Sequence, residues 1–146
     1  MLTLSQANTI LQAALNEARQ RKTAPLCVVV LDRGGAMVAF QREDGAGLLY
    51  PDIAFAKAWG SLGLGFGSRK LAELAQAMPT FVGSLTPIAG GRVAPVPGGV
   101  LVLDAAGTVI GAVGVAGDKG DPDEACALAG IEGAGLSAAT GFPGAR

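Results

Sequence analysis

The feature that most limits what this chain can fold into is an apolar run that occurs twice, each time followed by a tight turn and a returning run. Leu26-Cys27-Val28-Val29-Val30-Leu31 leads into Asp32-Arg33-Gly34-Gly35, and Ala36 to Arg42 comes back. Val100 to Leu103 leads into Asp104-Ala105-Ala106-Gly107, and Thr108 to Ala116 comes back. Uniformly apolar, β-branched runs suit strands buried on both faces, and a short Asp/Gly turn between two of them makes a hairpin. Two hairpins supply four strands of a mostly antiparallel sheet. At 146 residues the chain fits a single domain, 1–146, with length for one real core.

The helices announce themselves by their ends. Thr3 and Gln6 have capping-box spacing, and Leu4, Ala7, Leu11, Ala14, Leu15 and Ala18 repeat at helical intervals, so a helix runs to about Arg21. A second is expected over Pro51–Leu64, with Pro51 in its first turn. A shorter one is expected from Ser68 to Met78, stopped by Pro79. Thr86 to Gly99 is rich in proline and glycine and reads as a loop. The last helix is expected to be capped by Asp121, with Pro122 at its first position and Asp123 and Glu124 favoured by the dipole. Its Ala125, Ala129, Gly130, Gly133 and Ala134 make a small, flat face. Gly111, Gly114 and Gly117 punctuate the final strand, which points to a closely packed helix or a ligand. Gly63-x-Gly65-x-Gly67 follows a helix rather than a strand, so it is not a dinucleotide fingerprint.

Charge is scarce: eleven basic and twelve acidic residues have to cover roughly 6,900 Å² of surface. Part of that surface is therefore expected to be buried against other copies, in a homo-oligomer of four or more chains. The net charge of −1 argues against a nucleic-acid partner, and Arg19, Arg21 and Lys22 sit where cations offset a helix dipole. The N-terminus lacks a signal-peptide pattern, and no apolar run is long enough to span a membrane, so a cytoplasmic location is expected. Cys27 and Cys126 are then packed thiols rather than a disulfide.

The chain contains no histidine. Ser-His-Asp and Cys-His catalysis and the commonest zinc sites are thereby removed. Capping and the helix dipole account for Asp118, Asp121, Asp123 and Glu124 without a metal, and no metal ligands are assigned. Three polar features remain. Arg42-Glu43-Asp44-Gly45-Ala46 ends a strand and enters a loop. Lys57 is the only charge between Ile53 and Gly67, so its ammonium either reaches water or has a dedicated carboxylate, with Asp44, Asp121 or Glu124 the nearest sources. Asp118 to Glu124 joins a strand to a helix, a common place for a binding loop.

These features, in this order, resemble the GlcG/HbpS-like family, which includes the C-terminal domain of PduO-type cobalamin adenosyltransferases. The resemblance rests on Val29-Val30-Leu31-Asp32-Arg33-Gly34-Gly35, Arg42-Glu43-Asp44-Gly45-Ala46, Asp52-Ile53-Ala54-Phe55-Ala56-Lys57-Ala58, Gly111-Ala112-Val113-Gly114-Val115-Ala116-Gly117 and Asp123-Glu124-Ala125-Cys126-Ala127. It spans nearly the whole chain. It implies an α/β (α+β) fold, with about five mostly antiparallel strands, helices on both faces and a higher oligomer, often an octamer. It also implies haem as a candidate cofactor. Relatives of the PduO type ligate haem through histidine; here Tyr50, a Met, a Cys or apolar packing would have to serve. Trp59-Gly60 stands where many relatives carry Thr-Ala.

Two functions of different class are expected from this reading. In one, the chain binds a small, partly apolar ligand such as haem in an intersubunit pocket, with Arg42, Asp44, Tyr50, Trp59 and Asp121 as binding residues. In the other it is a small cofactor-independent lyase or isomerase on an organic or aromatic acid. Arg42 would then anchor a carboxylate, and Lys57 or Glu124 would carry protons at the same site.

Overall fold

The computed structural model describes residues 1–144. Both apolar runs are central strands. In chain order the elements are α1 (Leu4–Arg21), β1 (Cys27–Asp32), β2 (Met37–Arg42), α2 (Tyr50–Leu64), α3 (Ser68–Ala77), α4 (Pro79–Ile88), β3 (Gly99–Leu103), β4 (Val109–Ala116), α5 (Gly120–Gly133) and β5 (Ser137–Ala139). The strands form one sheet in the order β2-β1-β4-β3-β5, every pair antiparallel. The hairpins β1–β2 and β3–β4 are joined by the β1–β4 seam, where Val29 lies opposite Gly114 and Leu31 opposite Ala112. Each hairpin turn is held by its aspartate: Asp32 Oδ1 accepts from Gly34 and Ala36, and Asp104 Oδ1 from Ala106 and Thr108.

Because Cys27–Leu31 of β1 and Val100–Leu103 of β3 are apolar at every position, the sheet has two buried faces. Val28, Val30, Val100, Val102, Val113 and Val115 face α1 and α5, with Ile10, Leu11 and Ile131 as the largest partners. Val29, Leu31, Leu101, Leu103 and Ala112 face α2, beneath Ala54 and Ala58. The capping box forms as the sequence requires, with Thr3 accepting from Gln6 N–H and Gln6 accepting from Thr3 N–H. What approaches the small face of α5 is α1: a Cβ at Gly130 would stand 2.7 Å from Ile10 O, and one at Gly133 2.7 Å from Ala13 Cβ.

Two elements differ from the sequence expectation. The stretch from Thr86 begins inside α4, a helix rather than a loop; Pro79 occupies its first position, where the missing N–H costs no helical bond, and Pro87 stands in its last turn. The last helix starts at Gly120 with Lys119 as N-cap, so Asp121 lies inside the first turn and does not cap. Asp118 instead accepts from Lys119 N–H. The glycines after α2 are also accounted for: Gly65 ends the helix with φ 83°, and Gly67 leaves no room for a Cβ against the Thr140 backbone.

Cys27 and Cys126 are free thiols with no solvent exposure. Burial pushes the Cys126 thiol up to about 11 and raises Cys27 as well. Neither thiol is therefore expected to react with an alkylating reagent at mildly alkaline pH until the chain unfolds, when both should. Mass spectrometry after timed labelling reads this, and rapid labelling of the folded protein would contradict it. The sign of the pH dependence follows. Stability contributed by the buried neutral thiol of Cys126 is complete below the ordinary value of 9.0 and is lost as pH rises from there through about 11.

Candidate functional site

The polar groups of the α2 side meet at the start of α5, in two tiers. The inner tier is Lys57. Glycine at 114 lets α2 lie directly on β4, and glycine at 99 does the same against the Lys57 backbone. Lys57, only 3% exposed, therefore points between the strand ends. Its Nζ donates to Asp123 Oδ2 at 3.0 Å and to Val115 O at 2.9 Å. Asp123, wholly buried, also accepts from Asp118 N–H through Oδ1 at 3.0 Å. The carboxylate that meets the ammonium is thus Asp123, not Asp44, Asp121 or Glu124. Burial pulls the Lys57 ammonium down against the pull of Asp123, and burial likewise pushes the Asp123 carboxyl up against Lys57. Gly98, with φ 131°, closes the top: a Cβ there would stand 2.8 Å from Lys57 Nζ.

The outer tier is Glu124, the next residue of α5. Arg69 Nε, from α3, donates to both of its carboxylate oxygens at 3.0 Å, and Arg69 Nη2 reaches Asp121. Burial raises the Glu124 carboxyl, opposed by Arg69. Arg69 and Asp121 are exposed enough that solvent screens their pair, which adds little stability.

Arg42 lies elsewhere. It donates to Ala46 O and tethers the loop that leaves β2. With Arg19, Pro25, Glu43 and Asp44 it lines a surface hollow of about 430 Å³. Lys57, Glu124 and Arg42 share no direct contact; each is engaged by a different partner. The link between the regions is Asp118, whose Oδ2 accepts from Ala24 N–H and whose N–H reaches Asp123. The N–H groups of Ala24 and Lys119, both donating to it, hold the Asp118 carboxyl below its usual range. Tyr50 opens α2, half-buried against Gly47. Trp59, further along the same helix, lies half-buried beneath the Arg92 guanidinium, 3.8 Å from its ring centre.

Sequence reading did not single out Asp123, Arg69 or Arg92. Asp123 was already explained by the helix dipole, and nothing local distinguishes an arginine that pairs across elements from one that is merely solvated. Among the described residues no three Cys, Asp or Glu side chains gather as a metal site. None of their helices is long and apolar enough to cross a membrane.

Known structures share this fold. The fold matches a PduOC–haem complex with a TM-score of 0.84, at 23% identity over 93% of this chain and 96% of that one. At that identity the likeness shows the fold alone. The Klebsiella pneumoniae protein ORFY matches with a TM-score of 0.82 and 28% identity, over 91% of this chain and 90% of its own. A double mutant of Streptomyces reticuli HbpS matches at 0.76 and 32% identity, over 90% and 85%. No curated protein matches the chain. The model of the family described as "Haem degrading protein HbpS-like" matches residues 2–132. On that span, and on the sheet and helices that fill it, the chain belongs to the HbpS-like family.

Proposed function

We propose that the chain works as a cytoplasmic homo-oligomer of four or more copies that holds a small, partly apolar ligand between subunits, with haem the leading candidate. One observation carries this reading. The loop after β2 is pinned by Arg42 on Ala46 O and by burial of Ala46, yet it presents Leu48 at 95% exposure and Leu49 at 64%. A fixed loop that offers two adjacent leucines to water calls for a second surface.

The residues beside that loop fit a haem of a particular kind. No imidazole exists, and both thiols are sealed and held neutral. Tyr50, at the end of the same loop, offers the phenol, while Leu48 and Leu49 offer an apolar wall. Arg42, with Asp44 at the rim, offers a guanidinium to the propionates. Bound haem would supply a redox-active iron; this chain supplies the wall, the anion contact and one oxygen donor. The binding reading is preferred to a lyase or isomerase because the proposed proton carriers are occupied, Lys57 by Asp123 and Glu124 by Arg69.

Light scattering and a haemin titration test the proposal. We expect a tetramer or larger, and a haem spectrum perturbed without the low-spin signature of two imidazoles. Replacing Leu48 and Leu49 with Ser should weaken both assembly and haem binding, and Tyr50→Phe should alter the spectrum while leaving assembly intact. A monomer, or no spectral change with haemin, overturns it.

A further inference from the structure

The geometry points to a second, smaller site centred on Trp59, which we infer takes an apolar ring bearing a carboxylate. Two hollows meet at Trp59 and Gly63. One, of about 150 Å³, is lined by Arg33, Gly34, Gly35, Trp59, Leu62 and Gly63. The other, of about 210 Å³, borders the same indole and is walled by Leu64, Leu85, Ile88 and Val93. No carboxylate lines either one.

The side chains lining the first hollow offer donors and no acceptor. Among the described residues Arg33 has no ion-pair partner, and its neighbour Asp32 is turned to the backbone of its own hairpin. The indole N–H of Trp59 makes no hydrogen bond to those residues. Since no buried side-chain polar atom among them lacks a partner, that N–H is not sealed from solvent. It faces Gly35, where a Cβ would stand 3.0 Å from Nε1, so glycine at 35 keeps the donor clear. A guanidinium and an indole N–H bordering one small hollow suit a carboxylate.

The second hollow is apolar and sized for one ring, since a pocket of roughly 150 Å³ lined by aliphatic side chains holds benzene. Arg92 keeps the indole in place between the two. It stacks on the ring while its Nε donates to Ala89 O, and among the described residues it has no carboxylate partner. Passage between the hollows runs over Gly63, where an added Cβ would meet only the Trp59 ring at 3.7 Å. A ligand lying across α2 here would put its anion by Arg33 and its ring by Leu85 and Val93.

Trp59 is the chain's single tryptophan, so it reports on its own site. Haem-free protein is titrated with benzoate while the tryptophan emission is followed, and saturation-transfer NMR provides a second readout. We expect saturable binding with a dissociation constant on the order of 1 mM, and benzamide weaker by about tenfold. Arg33→Gln should weaken benzoate by about tenfold and leave benzamide unchanged, and Trp59→Phe, read by NMR, should weaken benzoate. Gly63→Leu should abolish binding with folding intact, because leucine is the better helix former. The Leu48 and Leu49 variants should still bind benzoate, which separates this site from the haem proposal. Equal binding of benzoate and benzamide, an unaffected Arg33→Gln, or no saturation overturns the inference.

Discussion

Lys57→Met is expected to cost the fold about 3–5 kcal/mol, because it leaves the Asp123 carboxylate buried with no counter-charge. For a chain of this size that is a fall in midpoint of about 6–20 °C, readable by thermal or urea unfolding. The same substitution at an exposed lysine would be nearly neutral, so the experiment separates a latch from a surface charge. The paired variant Lys57→Met with Asp123→Asn should recover most of the loss. Asparagine keeps an oxygen for the Asp118 N–H, and no net charge remains inside. Recovery is expected because burial is the largest cause of the shift in both partners, downward for Lys57 and upward for Asp123. Each group alone would rather be neutral in this place. A loss under about 1 kcal/mol for Lys57→Met would mean that the ion pair does not hold these elements together.

Gly114→Ala is expected to be nearly as damaging, at about 3 kcal/mol or more, or to leave the protein insoluble. The added methyl would enter the Ala54 carbonyl and press on the Ala58 side chain, both parts of α2. Backbone cannot rotate aside as a flexible side chain can. Relief would have to come from lifting α2 off β4, which would also move Lys57 away from Val115 and Asp123. Gly83→Ala is the matched control. It sits inside α4 with nothing near its missing Cβ, and alanine should raise stability there by about 0.5–1 kcal/mol. If both substitutions behave alike in chemical denaturation, α2 is not packed on the sheet as described.

The hairpins and the first helix were legible because local chemistry alone determines them. A run of valines cannot sit in water on either face, an Asp-x-x-Gly turn supplies its own hydrogen bonds, and a Thr/Gln box caps itself. α4 was not legible, because two prolines in ten residues read as breakers until it is seen that they stand at its first position and in its last turn. β5 has three residues, too few to show a period. The need of Lys57 for a carboxylate was readable from its apolar neighbours. Its identity was not: successive residues of a helix differ by about 100° in direction, and no local signal says whether Asp121, Asp123 or Glu124 turns inward. The Trp59–Arg92 stack joins α2 to the segment before β3, a meeting only the tertiary fold arranges.

The sheet order also sets a sequence of events in assembly. Each hairpin joins strands that are neighbours along the chain, and such units close within microseconds. The β1–β4 seam joins the two hairpins across the whole of α2, α3 and α4. Closing so long a loop costs little more free energy than closing one half its length, since the entropy grows only logarithmically. It does demand that two preformed ribbons find one register, and the search for that register governs the rate more than the final stability. A newly made chain therefore waits with β1 presenting a bare edge until the second ribbon leaves the ribosome. In that interval, the side of β1 destined for β4 is open to the strands of another copy.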